Sequence, residues 1–198
     1  MIIDEKVYQK TEPEMEEQKN EAVREEDWSP AHIFKKIVCI LLKDCIIALV
    51  LSVVLFKIIF NVTMVHGTSM NPTLYEGDTL LLDHLFYEPE YHDIVVFKNE
   101  EKGILVKRII GMPGDTIEIR DSVVYRNGEP LEEDYIYDGS FGPGDMTGPV
   151  TVEEGHVFVM GDNRPDSYDS RYNGIGQVSE DLILGGVLFR VHPFSTLK

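Results

Sequence analysis

Ser69 stands in Gly67-Thr68-Ser69-Met70-Asn71-Pro72-Thr73-Leu74, among small residues and just ahead of a proline. Small neighbours let a backbone come close to the hydroxyl, and proline then fixes the chain direction. A serine attacks a carbonyl only when a base takes its proton. Histidine is the common base. His66 is near in sequence, but residues that close along a strand and turn rarely point at each other. The other candidate is Lys107, in Gly103-Ile104-Leu105-Val106-Lys107-Arg108-Ile109-Ile110. Strand alternation puts Leu105, Lys107 and Ile109 on one face and Arg108 on the other. Burial among aliphatic side chains disfavours a charged amine and lowers its pKa toward neutrality, which makes it a general base. A plain lysine at a sheet edge, reaching to water, fits the same strand.

Two further stretches carry polar groups. Gly111-Met112-Pro113-Gly114-Asp115 closes the lysine strand as a glycine-proline turn. Gly161-Asp162-Asn163-Arg164-Pro165-Asp166-Ser167-Tyr168-Asp169-Ser170-Arg171 follows the apolar run Val157-Phe158-Val159-Met160. Its aspartates, arginines and serines suggest a hydrogen-bonded scaffold, a merely solvated loop being the bland alternative.

The elements that must position these groups differ along the chain. Residues 1–34 are an acidic, flexible tail rich in Glu, Lys and Gln. Ser29-Pro30 is a helix start, with Lys35, Lys36 and Lys43 following. The run from Cys45 to Phe56 carries no charge, and Ile58-Ile59-Phe60 continues it past Lys57. The spacing predicts a single membrane-anchoring helix over 35–60. The lysines ahead of it put the N-terminus in the cytoplasm and the rest outside. Beyond residue 60 the texture is that of strands: 61–65, 78–82, 93–98, 103–110, 116–125, 157–160 and 182–192, with an Asn127-Gly128 hairpin turn and an exposed loop over 138–149. The fold class predicted is mainly β, an antiparallel barrel-like catalytic domain over 61–198 behind one transmembrane helix.

Composition excludes several classes. The net charge of −17 lacks the basic patch that nucleic acid requires. The two cysteines, Cys39 and Cys45, lie in or beside the apolar segment. The rest of the chain therefore has no disulfide, cysteine nucleophile or thiolate zinc site. The six histidines show no ligand spacing, and no metal or organic cofactor is expected.

Together the three stretches resemble the type I signal peptidase family, the membrane-bound serine proteases that remove signal peptides from exported proteins. The resemblance spans roughly residues 40–192. It rests on Ser69-Met70 with Pro72-Thr73, on Lys107-Arg108 with Gly111, Pro113, Gly114 and Asp115, and on Gly161-Asp162-Asn163-Arg164 with Ser167, Asp169, Ser170 and Arg171. The resemblance implies Ser69 as nucleophile, Lys107 as general base and Ser167 as the serine that orients the lysine amine. It pairs Asp162 with Arg108 and Asp169 with Arg171. The Ser69 backbone N–H joins the oxyanion hole, while Gly67 stands where some relatives carry a serine donor.

Val65, Met70, Leu74 and Val106 resemble the lining of the pocket nearest the cut. The implied partners are secretory preproteins with small residues at the first and third positions before the cut, and membrane lipid. The implied state is a monomer, and a small non-catalytic β insertion is expected over about 116–156. A Ser/His signal peptidase and a catalytically silent, membrane-tethered adaptor are the alternatives.

Overall fold

The structure, a computed structural model, describes residue 13, residues 15–17, residue 19, residues 29–136 and residues 139–196. Most of the predicted acidic tail thus lies outside the described residues. The chain divides into two compact units, Met1–Val54 and Leu55–Lys198.

Helix α1 runs over Pro30–Ile59. The Ser29 hydroxyl accepts a hydrogen bond from the His32 N–H at 3.2 Å, and the Ser29 carbonyl accepts one from Ile33 at 3.0 Å. Pro30 opens the helix where no donor is needed. None of the helix residues is buried, although most are aliphatic. Its length, about 45 Å, exceeds the hydrocarbon thickness of a bilayer, about 30 Å. Among the described residues it is the one helix long and apolar enough to cross a membrane.

The second unit is built on two antiparallel sheets. The larger contains β1 (Phe60–Met64), β2 (Thr79–Asp83), β3 (Ile94–Asn99), β4 (Gly103–Gly111), β9 (His156–Met160), β10 (Val178–Ser179) and β11 (Ile183–His192). Their order is β1-β2-β11-β3-β4-β9-β10. The smaller contains β5 (Thr116–Arg120), β6 (Val123–Arg126), β7 (Glu129–Pro130) and β8 (Val150–Thr151), ordered β7-β6-β5-β8. The expected mainly β, antiparallel class is what the chain adopts.

Strand β3 is packed on both of its faces. Ile94 and Val96 pack with Val65, Met70, Leu74, Leu80 and Leu82, whereas Val95 and Phe97 pack with Ile109, Val157, Val159 and Val178. A strand buried on both faces reads as an unbroken apolar run, as here. A third cluster, from Ile110, Ile117, Val124, Phe158 and Met160, joins the two sheets.

The pairing of β4 is asymmetric. It pairs with β3 from Gly103 to Arg108, but with β9 only from Arg108 onward. Residues 103–107 therefore keep one unpaired edge. β1 is a free edge of the same sheet. Residues of the two line one groove, so the sheet curls toward closure and stops short of it.

The single strand expected over 116–125 is instead a hairpin. The chain reverses at Asp121 and Ser122, whose φ values are 50° and 62°. The Ser122 hydroxyl donates to the Phe141 carbonyl and accepts from the Phe141 N–H, both at 3.0 Å. That contact from the 138–149 loop holds the reversal, and Phe141 itself is buried. Asn127-Gly128 makes the expected two-residue turn, joining β6 to β7.

Candidate active site

Strand β4 carries Lys107 on one face and Arg108 on the other. Lys107 Nζ lies 2.7 Å from Ser69 Oγ and donates to the Val106 carbonyl at 3.0 Å. The Lys107 residue is 3% exposed and forms no ion pair among the described residues. Burial lowers its pKa to about 8; Asp169 and Asp162 hold it up, and Arg171 pushes it further down. A hydroxyl thus faces an amine that is neutral in a large share of molecules at mildly alkaline pH.

On the opposite face, Arg108 grips Asp162 with two nitrogens, Nε to Oδ1 at 2.9 Å and Nη2 to Oδ2 at 2.6 Å. Thr73, from the serine turn, donates to the same Asp162 Oδ2 at 2.5 Å. Asp169 receives Arg171 Nε at 2.7 Å and Nη2 at 2.9 Å, and the Gly161 N–H at 3.0 Å. These carboxylates and guanidiniums are all buried. A buried charge tolerates the interior when it is paired and hydrogen-bonded this fully.

Ser167 belongs to the same buried scaffold. Its hydroxyl donates to Asp169 Oδ2 at 2.7 Å, and no hydrogen bond joins it to Lys107 among the described residues. A carboxylate is the stronger acceptor for its single proton. Gly161 lets this corner close: a Cβ there would run into the Ser167 hydroxyl and the Ser69 carbonyl.

A groove of about 220 Å³ opens beside the pair, lined by Thr63, Val65, Met70, Val106 and Lys107 among others. Leu74, expected in the same lining, is fully buried in the core cluster and is not part of the groove wall. Val62, Met64 and Ile104 leave large apolar surfaces exposed on β1 and β4.

The comparisons decide what kind of protein carries this geometry. The family model for "Signal peptidase, peptidase S26" matches residues 38–192. The chain belongs to the signal peptidase family. It is 39% identical to signal peptidase I of Bacillus licheniformis over 168 residues, which is 79% of this chain and 89% of that protein. It is 38% identical to signal peptidase I T of Bacillus subtilis, covering 79% of this chain and 86% of that one. A crystal structure of a signal peptidase I from Enterococcus faecalis V583 matches 50% of this chain and 97% of its own, at 37% identity and a TM-score of 0.42.

The chain is thus a serine peptidase of the signal peptidase kind, and Lys107, not a histidine, is the group on Ser69 Oγ. Two contributors escaped the sequence reading. Glu133 pairs with both terminal nitrogens of Arg164, at 2.9 Å and 2.5 Å, and its side chain is 5% exposed. The Tyr135 ring lies 4.0 Å from the Arg108 guanidinium, and its hydroxyl donates to Glu133 at 2.9 Å. Both residues lie in the connection between β7 and β8, where charge spacing alone gave no signal. At Gly67 the backbone has φ 84°, and the residue has no side chain to donate a hydrogen bond.

Proposed function

We propose that this chain is a membrane-anchored endopeptidase that removes N-terminal signal peptides from exported preproteins with a Ser69–Lys107 dyad. The observation that carries the reading is the 2.7 Å approach of Ser69 Oγ to a buried amine that has no carboxylate partner among the described residues. The neutral Lys107 amine takes the Ser69 proton as Oγ attacks the scissile carbonyl carbon. The resulting oxyanion lies on the Ser69 N–H. Collapse breaks the C–N bond, and Lys107 returns the proton to the departing amine of the mature protein. Water then attacks the acyl ester, giving its proton to Lys107, which passes it to Ser69 Oγ as the signal peptide leaves.

An extended signal-peptide end adds as a strand between β1 and the unpaired edge of β4, using both free edges at once. Val65, Met70 and Val106 meet its side chains, which favours small residues at the first and third positions before the cut. Arg108 with Asp162, and Asp169 with Ser167 and Arg171, brace the dyad. Residues 35–60 anchor the chain, with the tail over 1–34 in the cytoplasm and the catalytic domain over 61–198 outside; the small sheet within about 116–156 is its non-catalytic insertion. The partners are preproteins and lipid, and the enzyme acts as a monomer.

The test is cleavage of a signal-peptide-bearing preprotein by the full-length chain in detergent. Ser69→Ala and Lys107→Ala each abolish cleavage while the melting profile of the β domain persists. Near-full activity of either variant contradicts the dyad.

A further inference from the structure

Loop 161–166 does more than carry Asp162: it grips the backbone on both sides of the nucleophile. The Asn163 side chain donates Nδ2–H to the Thr68 carbonyl at 3.1 Å. Its backbone N–H donates to the Ser69 carbonyl at 3.0 Å. A carbonyl can only accept, so the Asn163 amide presents its N–H and not its oxygen to Thr68. The Thr68 hydroxyl donates to Asp166, at the end of the short 3-10 turn Arg164–Asp166. The Asn71 N–H completes the set on the Thr68 carbonyl at 3.1 Å.

A trans peptide unit is planar, with its C=O and N–H opposed. The Thr68 carbonyl and the Ser69 N–H belong to one such plane. Holding the carbonyl therefore aims the N–H. The Ser69 N–H makes no hydrogen bond within the protein among the described residues, so it is left to face a substrate oxygen. Gly67, just before the plane, has φ 84° and gives the chain little stiffness of its own. With no side chain at Gly67 to donate, the aim of this single N–H matters more.

We propose that Asn163 is the positioning residue of the oxyanion donor, setting the direction of the Ser69 N–H through the peptide plane it shares with the Thr68 carbonyl. Thr68 with Asp166 is the second grip on the same plane. The inference rests on the Ser69–Lys107 reading and adds to it a residue that touches neither the substrate nor the lysine.

The experiment uses the full-length chain in detergent and a peptide spanning a cleavage site with alanine at the first and third positions before the cut. Asn163→Asp keeps the shape and replaces the donor with an acceptor; it lowers kcat by about 100-fold, the scale of a lost oxyanion donor, and leaves KM within about threefold. Affinity for a peptide aldehyde, whose adduct on Ser69 bears the same oxyanion, falls in parallel. The midpoint of the acid limb of the pH–rate profile is read in Asn163→Ala, which brings no new charge near Lys107, and it stays in place. Asp166→Ala loses about tenfold and Asp166→Asn recovers most of it, since an amide oxygen still accepts from Thr68; this pair decides the matter where Asn163→Asp does not fold.

Wild-type-like kcat in Asn163→Asp, a loss confined to KM, a moved acid limb in Asn163→Ala or unchanged aldehyde affinity each overturns the proposal. If Ser69→Ala and Lys107→Ala are inactive in the same assay, only this inference fails. Activity in either of those two variants overturns the underlying dyad as well.

Discussion

Two neighbours on β4 meet opposite fates. Arg108 is buried against Asp162, and the same region buries Arg164 on Glu133 and Arg171 on Asp169. Lys107 is buried as deeply but faces a hydroxyl and a carbonyl. Each arginine has a carboxylate in bidentate or near-bidentate geometry, which compensates the burial of its charge. The lysine, lacking one, is pushed toward its neutral form. Paired charge here is architecture, and unpaired charge is chemistry. The large sheet brings the two within one residue by placing them on opposite faces of a strand.

The strongest way to break that contrast is to put an arginine in the lysine's place. Lys107→Arg keeps a cation but cannot release a proton near neutral pH. Preprotein cleavage falls by about 1,000-fold or more, the scale of losing a general base along with its nucleophile's activation. Next is the converse damage on the other face. Asp162→Ala leaves Arg108 buried without its carboxylate and costs about 3–5 kcal/mol, read from thermal or denaturant unfolding.

Removing the lysine's charge has the opposite sign. Its pKa falls from the ordinary lysine value of 10.5 to about 8 on folding. The folded state therefore holds the proton less well than the unfolded state. That penalty is fully present below about pH 8 and fades as pH rises to about 10.5. It amounts to about 3 kcal/mol as an order of magnitude. Lys107→Met, of similar length, is accordingly more stable than the parent at pH 7, by up to about 3 kcal/mol. The difference closes at alkaline pH. The smallest effect is electrostatic tuning across the site. Asp169 raises the Lys107 pKa, so Asp169→Asn moves the acid limb of the rate profile to lower pH, by up to about one unit, alongside a loss of stability from Arg171.

Much of this was legible in the sequence, unevenly. The alternation through 103–110 placed Lys107 and Arg108 on opposite faces, and β4 has that arrangement. The uncharged run from Cys45 to Phe56 marked a long apolar helix, and Asn127-Gly128 marked a turn. The reversal at Asp121-Ser122 was hidden because it contains no glycine and is held by Phe141, a contact between distant residues. Glu133 and Tyr135 were hidden for the same reason: their partners are Arg164 and Arg108, which only the fold brings near. The pairings of Asp162 and Asp169 came from family resemblance, and local spacing gave no geometry for them. The donation of the Ser167 hydroxyl to Asp169 had no signal in local spacing.

The central claim is that Lys107 works as a neutral base, and the pH dependence of kcat/KM for the full-length chain tests it most directly. With the pKa lowered to about 8, kcat/KM rises tenfold per pH unit below that value and levels off above it. A rate that is flat from pH 6 to pH 9, at about constant protein stability, contradicts the claim.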